Sequence, residues 1–118
     1  MAPTLAVTTD REVYRPGDTI ALVLTMRNDD AVVVVLTFAT TQRYDVEIRD
    51  RSDTMLWRWS DEVMFGQMLG EERIAAGDSL VFAQRCPAPT HSGRYQLIGR
   101  IPATDRAFEA RTWIRVGS

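Results

Sequence analysis

Lysine is absent from this chain of 118 residues, and histidine and cysteine occur once each, as His91 and Cys86. A lone thiol excludes an intrachain disulfide, fits a reducing compartment, and reads best as a small, partly buried apolar residue. One His and one Cys also exclude a zinc-type site within a single chain. Catalysis is equally short of parts. His91 lies close to Cys86 in sequence, but that does not make a nucleophile and base, and there is no Gly-x-Ser-x-Gly elbow. The acidic pairs Asp29-Asp30 and Glu71-Glu72 lack the ligand spacing of a calcium loop and read as solvated turns. No glycine pattern cradles a phosphate. No catalytic residue, metal ligand or cofactor is expected.

Long apolar runs are missing too. The longest, Ala31 to Leu36, falls far short of the roughly 20 residues of a membrane helix, and no basic start with an apolar core marks a signal peptide. The expectation is a cytoplasmic protein with no membrane association, with a cysteine-poor, trimmed exported domain as the alternative. A surplus of positive charge is also lacking. Fourteen Arg against 16 acidic residues leave a net charge of -2, which gives a phosphate backbone no general attraction and argues against nucleic acid. The Arg are spread evenly along the chain and mark no basic site.

What remains is a chain of one domain, 1–118, with 45% apolar and 25% charged residues, a balance typical of globular proteins. Short alternating segments separated by Gly, Pro and Asp predict an all-β, antiparallel β-sandwich of about seven to nine strands. Leu5 to Thr9 reads as an edge strand. In Thr19 to Asn28 the residues Ile20, Leu22, Leu24 and Met26 share one face. Ala31 to Phe38, apolar on both faces, predicts a central or doubly covered strand. Tyr44, Val46 and Ile48 face inward, with Asp45, Glu47 and Arg49 toward water. A hairpin over Asp50 to Thr54 leads into Met55 to Trp59. The turns Arg15-Pro16-Gly17-Asp18 and Ala76-Gly77-Asp78 echo one another as sheet-crossing corners. Arg94 to Ile101 and Phe108 to Val116 form a closing antiparallel pair, and Gly93-Arg94-Tyr95 is reminiscent of a tyrosine corner. Asp61 to Leu69 admits one helical turn, with Ser60 as its N-cap. Strands at both ends and no Ser- or Pro-rich linker predict a complete domain.

Two segments carry candidate binding residues. In the first, Trp57 and Trp59 share a strand face; at least one is expected in the core, and a functional reading, set against burial of both, puts the other at the rim beside Phe65. Val63, Met64, Phe65, Met68 and Leu69 then form a connection with no ionised residue from Val63 to Gly70. Such a connection either folds back as a lid, the default, or stays exposed as a partner site. Gln67 would offer a hydrogen bond to a partner or tie the loop to the sheet. Arg43 and Arg58 are expected to stack on aromatics or pair with Asp45 or Asp61. The second segment is Arg85 to His91, where Pro87 and Pro89, flanking Ala88, stiffen the backbone.

The residues Gln42-Arg43-Tyr44-Asp45, Trp57-Arg58-Trp59-Ser60 and Phe65-x-Gln67, with Ala76-Gly77-Asp78-Ser79-Leu80 and Ser92-Gly93-Arg94-Tyr95, resemble the BsuPI family of bacterial intracellular proteinase inhibitors. The resemblance implies an immunoglobulin-like sandwich and inhibition of an intracellular subtilisin-like serine protease through protein binding. It does not identify a reactive bond, and oligomeric state stays open. An inhibitor would insert a stiff extended loop into the protease cleft, burying roughly 1,600 Å² in total. Arg85, Pro87, Ala88, Pro89 and His91 form one candidate contact; Trp59, Met64, Phe65, Gln67 and Met68 form the other. The rival reading is an immunoglobulin-like docking or scaffolding module without inhibitory activity.

Overall fold

A computed structural model describes residues 2–117. The alternation read from the sequence produces strands in the order β1 (Thr4–Thr9), β2 (Val13–Tyr14), β3 (Thr19–Arg27), β4 (Val34–Phe38), β5 (Asp45–Arg49), β6 (Met55–Arg58), a 3-10 turn over Trp59–Glu62, β7 (Gly70–Ile74), β8 (Ser79–Pro87), β9 (Gly93–Pro102) and β10 (Ala107–Val116). These ten strands, one of them only two residues long, build an antiparallel β-sandwich. A three-stranded sheet, β1-β3-β8, faces a five-stranded one, β2-β10-β9-β5-β6, and β4-β7 form a separate ribbon. Among the described residues the one parallel pairing is short, Val13 and Tyr14 of β2 against Arg115 and Val116 of β10.

The period of two in β3 places Ile20, Leu22, Leu24 and Met26 fully inside. The first three join Val46, Ile48, Leu97 and Ile114 in one core cluster, while Met26 joins Leu36, Phe38, Ile74 and Ile101 in a second. Tyr44 and Phe82 pack against both, so the seam between the clusters is aromatic. Sheet approach is close at Gly99 of β9. A Cβ there would lie 2.1 Å from Cδ2 of Leu24, itself fully buried. Gly99→Ala is therefore expected to cost roughly 1–3 kcal/mol through overpacking, read as a lowered thermal midpoint; an unchanged midpoint would show that Leu24 has room to turn.

The two corners are built alike. Gly17 and Gly77 take φ of +82° and +75°, and the Asp18 and Asp78 amides donate to the Arg15 and Ala75 carbonyls at 3.0 Å each. Each delivers the chain into the three-stranded sheet, as β3 and as β8. The tyrosine corner forms as well: the Tyr95 hydroxyl donates to the His91 carbonyl at 2.6 Å.

Three local expectations are corrected. Ala31 to Phe38 is not a central strand, because only Val34–Phe38 is extended, pairing solely with β7, and Val32 and Val33 are exposed. Its outward apolar residues are covered by no further strand. Ser60 does not cap a helix, because its hydroxyl is drawn to Asp45, and the turn starts at Trp59, two residues before Asp61, with Arg58 at the cap position and no side-chain cap. Most informative is Glu47, placed on the outer face of β5 as expected yet only 1% exposed. Arg49 and Arg100 donate to its two oxygens at 3.0 and 2.8 Å, and Arg58 lies 3.5 Å away. Arg100 and Arg111 then share Glu109. Long arginine side chains thus roof this part of the sheet and bury the carboxylate beneath them. A face that reads as water-facing in sequence is closed by its own side chains.

Candidate functional site

The two sequence motifs, far apart along the chain, interlock. Tyr44 precedes β5, and its ring stacks on Trp59 with centroids 4.4 Å apart and planes 8° from parallel. Phe82 of β8 lies under the other side at 4.9 Å. The Tyr44 hydroxyl donates to Gln84 at 2.7 Å, which fixes the ring against the three-stranded sheet. One residue on, the Asp45 carboxylate accepts from the Ser60 hydroxyl at 2.6 Å and from the Ser60 amide at 3.1 Å. Arg58 reaches back to Glu47. The 3-10 turn is thus held on its aromatic side and on its polar side by neighbouring residues of one segment.

The same segment holds the connection that follows. Thr41 donates its amide to the Gly66 carbonyl at 3.0 Å and accepts the Gly66 amide on its hydroxyl at 2.8 Å. Phe65 turns inward and meets the edge of Trp59 at 5.6 Å, with the ring planes 67° apart. Arg43 lies over the Phe38 ring at 4.6 Å and pairs with Glu72 at 3.2 Å, joining the platform to the β4-β7 ribbon. Both arginines therefore serve the scaffold, Arg43 by stacking on an aromatic ring and Arg58 by approaching Asp61 at 3.9 Å, with Glu72 and Glu47 as further partners in place of Asp45.

Beyond this platform the lid expectation fails. Only Phe65 folds back. Met64 is 98% exposed, Leu69 82% and Met68 69%, because the clamps at Ser60 and Gly66 fix the backbone while none of the described residues covers these side chains. Gln67 is exposed and makes no hydrogen bond among the described residues; Thr41 is what ties the loop down. Neither Trp57 nor Trp59 is a fully buried core residue, while Trp59 does lie beside Phe65. Trp59 leaves the strand to begin the turn, and both rings lie partly buried against the first core cluster. Trp57 donates its indole N–H to Glu62.

The second candidate segment lies elsewhere and is less free. Arg85 and Pro87 belong to β8, opposite Ala21 and Thr19 of β3. Ala88 is buried, and its amide donates to the Asp18 carbonyl at 2.7 Å. Pro89 is half-buried, leaving Thr90, His91 and Ser92 as the exposed part of the connection. Pro87 to His91 instead wall a shallow apolar groove with Leu56 and Trp57. The groove joins this segment to Trp57 of the first, but Trp59, Met64, Phe65, Gln67 and Met68 take no part in it.

Cys86 sits inward on β8, and burial pushes its thiol up to about 12. At pH 8 almost no thiolate exists, so a disulfide reagent should label the folded chain far more slowly than the unfolded one; equal rates would contradict the burial. Among the described residues no three His, Cys, Asp or Glu side chains converge as metal ligands. No helix is long and apolar enough to cross a membrane.

A family model described as BsuPI, intracellular proteinase inhibitor, matches residues 7–106. No curated protein matches the sequence. Among solved structures, the sporulation control protein Spo0M of Bacillus subtilis superposes with a TM-score of 0.65 at 10% identity, the match covering 100% of this chain and 50% of that one. The chain therefore spans half the length of Spo0M. The CARDB domain of a Pyrococcus furiosus protein, solved in complex with di-metal ions, gives a TM-score of 0.58 at 12% identity, covering 98% of this chain and 90% of its own. The C-terminal domain of wzt gives 0.59 at 12% identity, with 97% and 71% covered. At such identities the likeness is one of fold.

Proposed function

Because this chain belongs to the BsuPI family of intracellular proteinase inhibitors, whose model matches residues 7–106, we propose that it inhibits a subtilisin-like serine protease in the cytoplasm by occupying its cleft. The observation that carries this reading is the connection Val63 to Leu69, an apolar tip on a clamped base. Met64, Met68 and Leu69 offer contact area without any ionised group to desolvate. The Thr41–Gly66 and Asp45–Ser60 bonds hold the backbone before a partner arrives, which reduces the entropy lost on binding. A rigid, protruding segment is what a cleft-blocking inhibitor needs; a docking module has no such requirement.

The test is a titration of a subtilisin-like intracellular protease with this protein. Stoichiometric loss of activity is expected. A chain with Met64→Ser, Met68→Ser and Leu69→Ser should lose inhibition, while Pro87→Ala with Pro89→Ala should keep it. Full protease activity at excess wild-type chain would reject the inhibitor reading for that protease and favour a docking module without inhibitory activity.

A further inference from the structure

Resting on the inhibitor reading above, we infer that Met64 is the side chain that enters the primary specificity pocket of the protease, with Met64–Phe65 as the peptide bond presented to the nucleophile. Among the described residues Met64 is the most exposed large apolar side chain, and the residues directly before and after it are both held. Upstream, the Val63 amide lies 3.5 Å from the Ser60 carbonyl, and Ser60 is bound twice by Asp45. Val63 is extended, with φ of −130° and ψ of 139°, the conformation in which a chain adds to a partner as a strand. Downstream, Phe65 rests on Trp59 and Gly66 is tied to Thr41 through both its amide and its carbonyl.

Met68 and Leu69 are also bare and lie between the Gly66 tie and the β7 ladder at Gly70, but Gln67 and Leu69, the neighbours of Met68, make no hydrogen bond among the described residues. In the other segment the Ala88 amide is already used by Asp18, and the prolines at 87 and 89 have no amide to give. Met also suits the task chemically, since its long unbranched side chain fills a deep apolar pocket with little steric demand at Cβ.

The downstream clamp explains how such a bond survives. Attack by the protease serine would join its Oγ to the Met64 carbonyl carbon, break the Met64–Phe65 C–N bond, and pass the serine proton through the protease's general base to the departing Phe65 amine. That amine cannot leave, because Phe65 and Gly66 remain attached to Trp59 and Thr41. It stays beside the ester and reverses the step, reforming the peptide and returning the proton to the serine.

The experiment compares wild type, Met64→Leu, Met64→Asp and Thr41→Val as inhibitors of the same protease, with mass analysis of the chain during incubation. Met64→Leu should keep its potency and Met64→Asp should weaken it by roughly 30-fold or more, the scale of an interface hot spot. Thr41→Val, which removes the hydroxyl acceptor of the Gly66 amide, should turn stable inhibition into temporary inhibition, with the chain cut between Met64 and Phe65. Thermal unfolding of each variant confirms that it is folded, and Met64, being fully exposed, should tolerate the change. Undiminished inhibition by folded Met64→Asp, or a cut elsewhere, would overturn the Met64 assignment while leaving the inhibitor reading intact. Failure of the wild type to inhibit would overturn both.

Discussion

Asn28→Ala is expected to destabilise the protein by about 3 kcal/mol and to lower its thermal midpoint by about 10 °C. Asn28 follows β3 and is fully buried. Its side-chain amide donates to the Val32 and Ile74 carbonyls at 2.8 and 2.9 Å, with Ala75 at 3.3 Å, and its oxygen accepts the Asp30 amide at 3.0 Å. Its backbone is paired with Gly77 and Asp78 at 2.9 Å each. One residue therefore joins the end of β3, the following turn and the corner between β7 and β8. Truncation strands the buried Ile74 carbonyl and opens a small void, and each buried polar group left unpaired costs roughly 1–3 kcal/mol.

The near-isosteric Asn28→Asp separates hydrogen bonding from shape. A carboxylate would face carbonyl oxygens, so its folded-state pKa must rise above the unfolded value near 4. The folded state then binds the proton more tightly, and this variant should gain stability as pH falls from 7 toward 4.5, where the acid regains a donor. Chemical unfolding at the two pH values measures this. A loss below about 1 kcal/mol in Asn28→Ala, or no pH response in Asn28→Asp, would show that water or backbone relaxation replaces the amide.

Trp59→Ala carries the second large effect, on stability and inhibition together. Removing a substantially buried Trp costs about 3 kcal/mol or more, and the stacks with Tyr44 and Phe65 disappear with it. The clamp on the connection is then reduced to the Thr41 and Asp45 bonds. Ordering one freed backbone residue on binding costs roughly 1–2 kcal/mol, so inhibition should weaken by about tenfold for each residue released. A double-mutant cycle with Tyr44→Leu should return a coupling of about 0.5–1.5 kcal/mol for the stacked pair. Limited proteolysis should then cut first between Val63 and Leu69. If Trp59→Ala unfolds at the wild-type temperature and inhibits equally well, the aromatic platform has no part in presenting the connection.

The motif residues are explained by these contacts. Tyr44 with Trp59, Asp45 with Ser60, and Arg58 with Glu47 pair members of the two motifs with each other or with the strand between them. The matching of the motifs was visible in sequence only as a resemblance, because neither register nor turn geometry follows from strands some ten residues apart. Phe65-x-Gln67 divides in the same way: Phe65 belongs to the platform, while Gln67 faces outward.

The sequence by itself determined the sandwich, most strand positions, both Gly-Asp corners and the inward face of β3, since period-two alternation and positive-φ glycine are local physics. It also marked the connection without ionised residues. Only the tertiary structure decided that Glu47 is roofed by Arg49, Arg58 and Arg100, that Asn28 is a buried hub, and that Met64 stands bare while Phe65 does not. Each of these depends on which residues of other strands arrive alongside. Alternation assigns a side chain to a face, but burial of that face is set by neighbours distant in the chain.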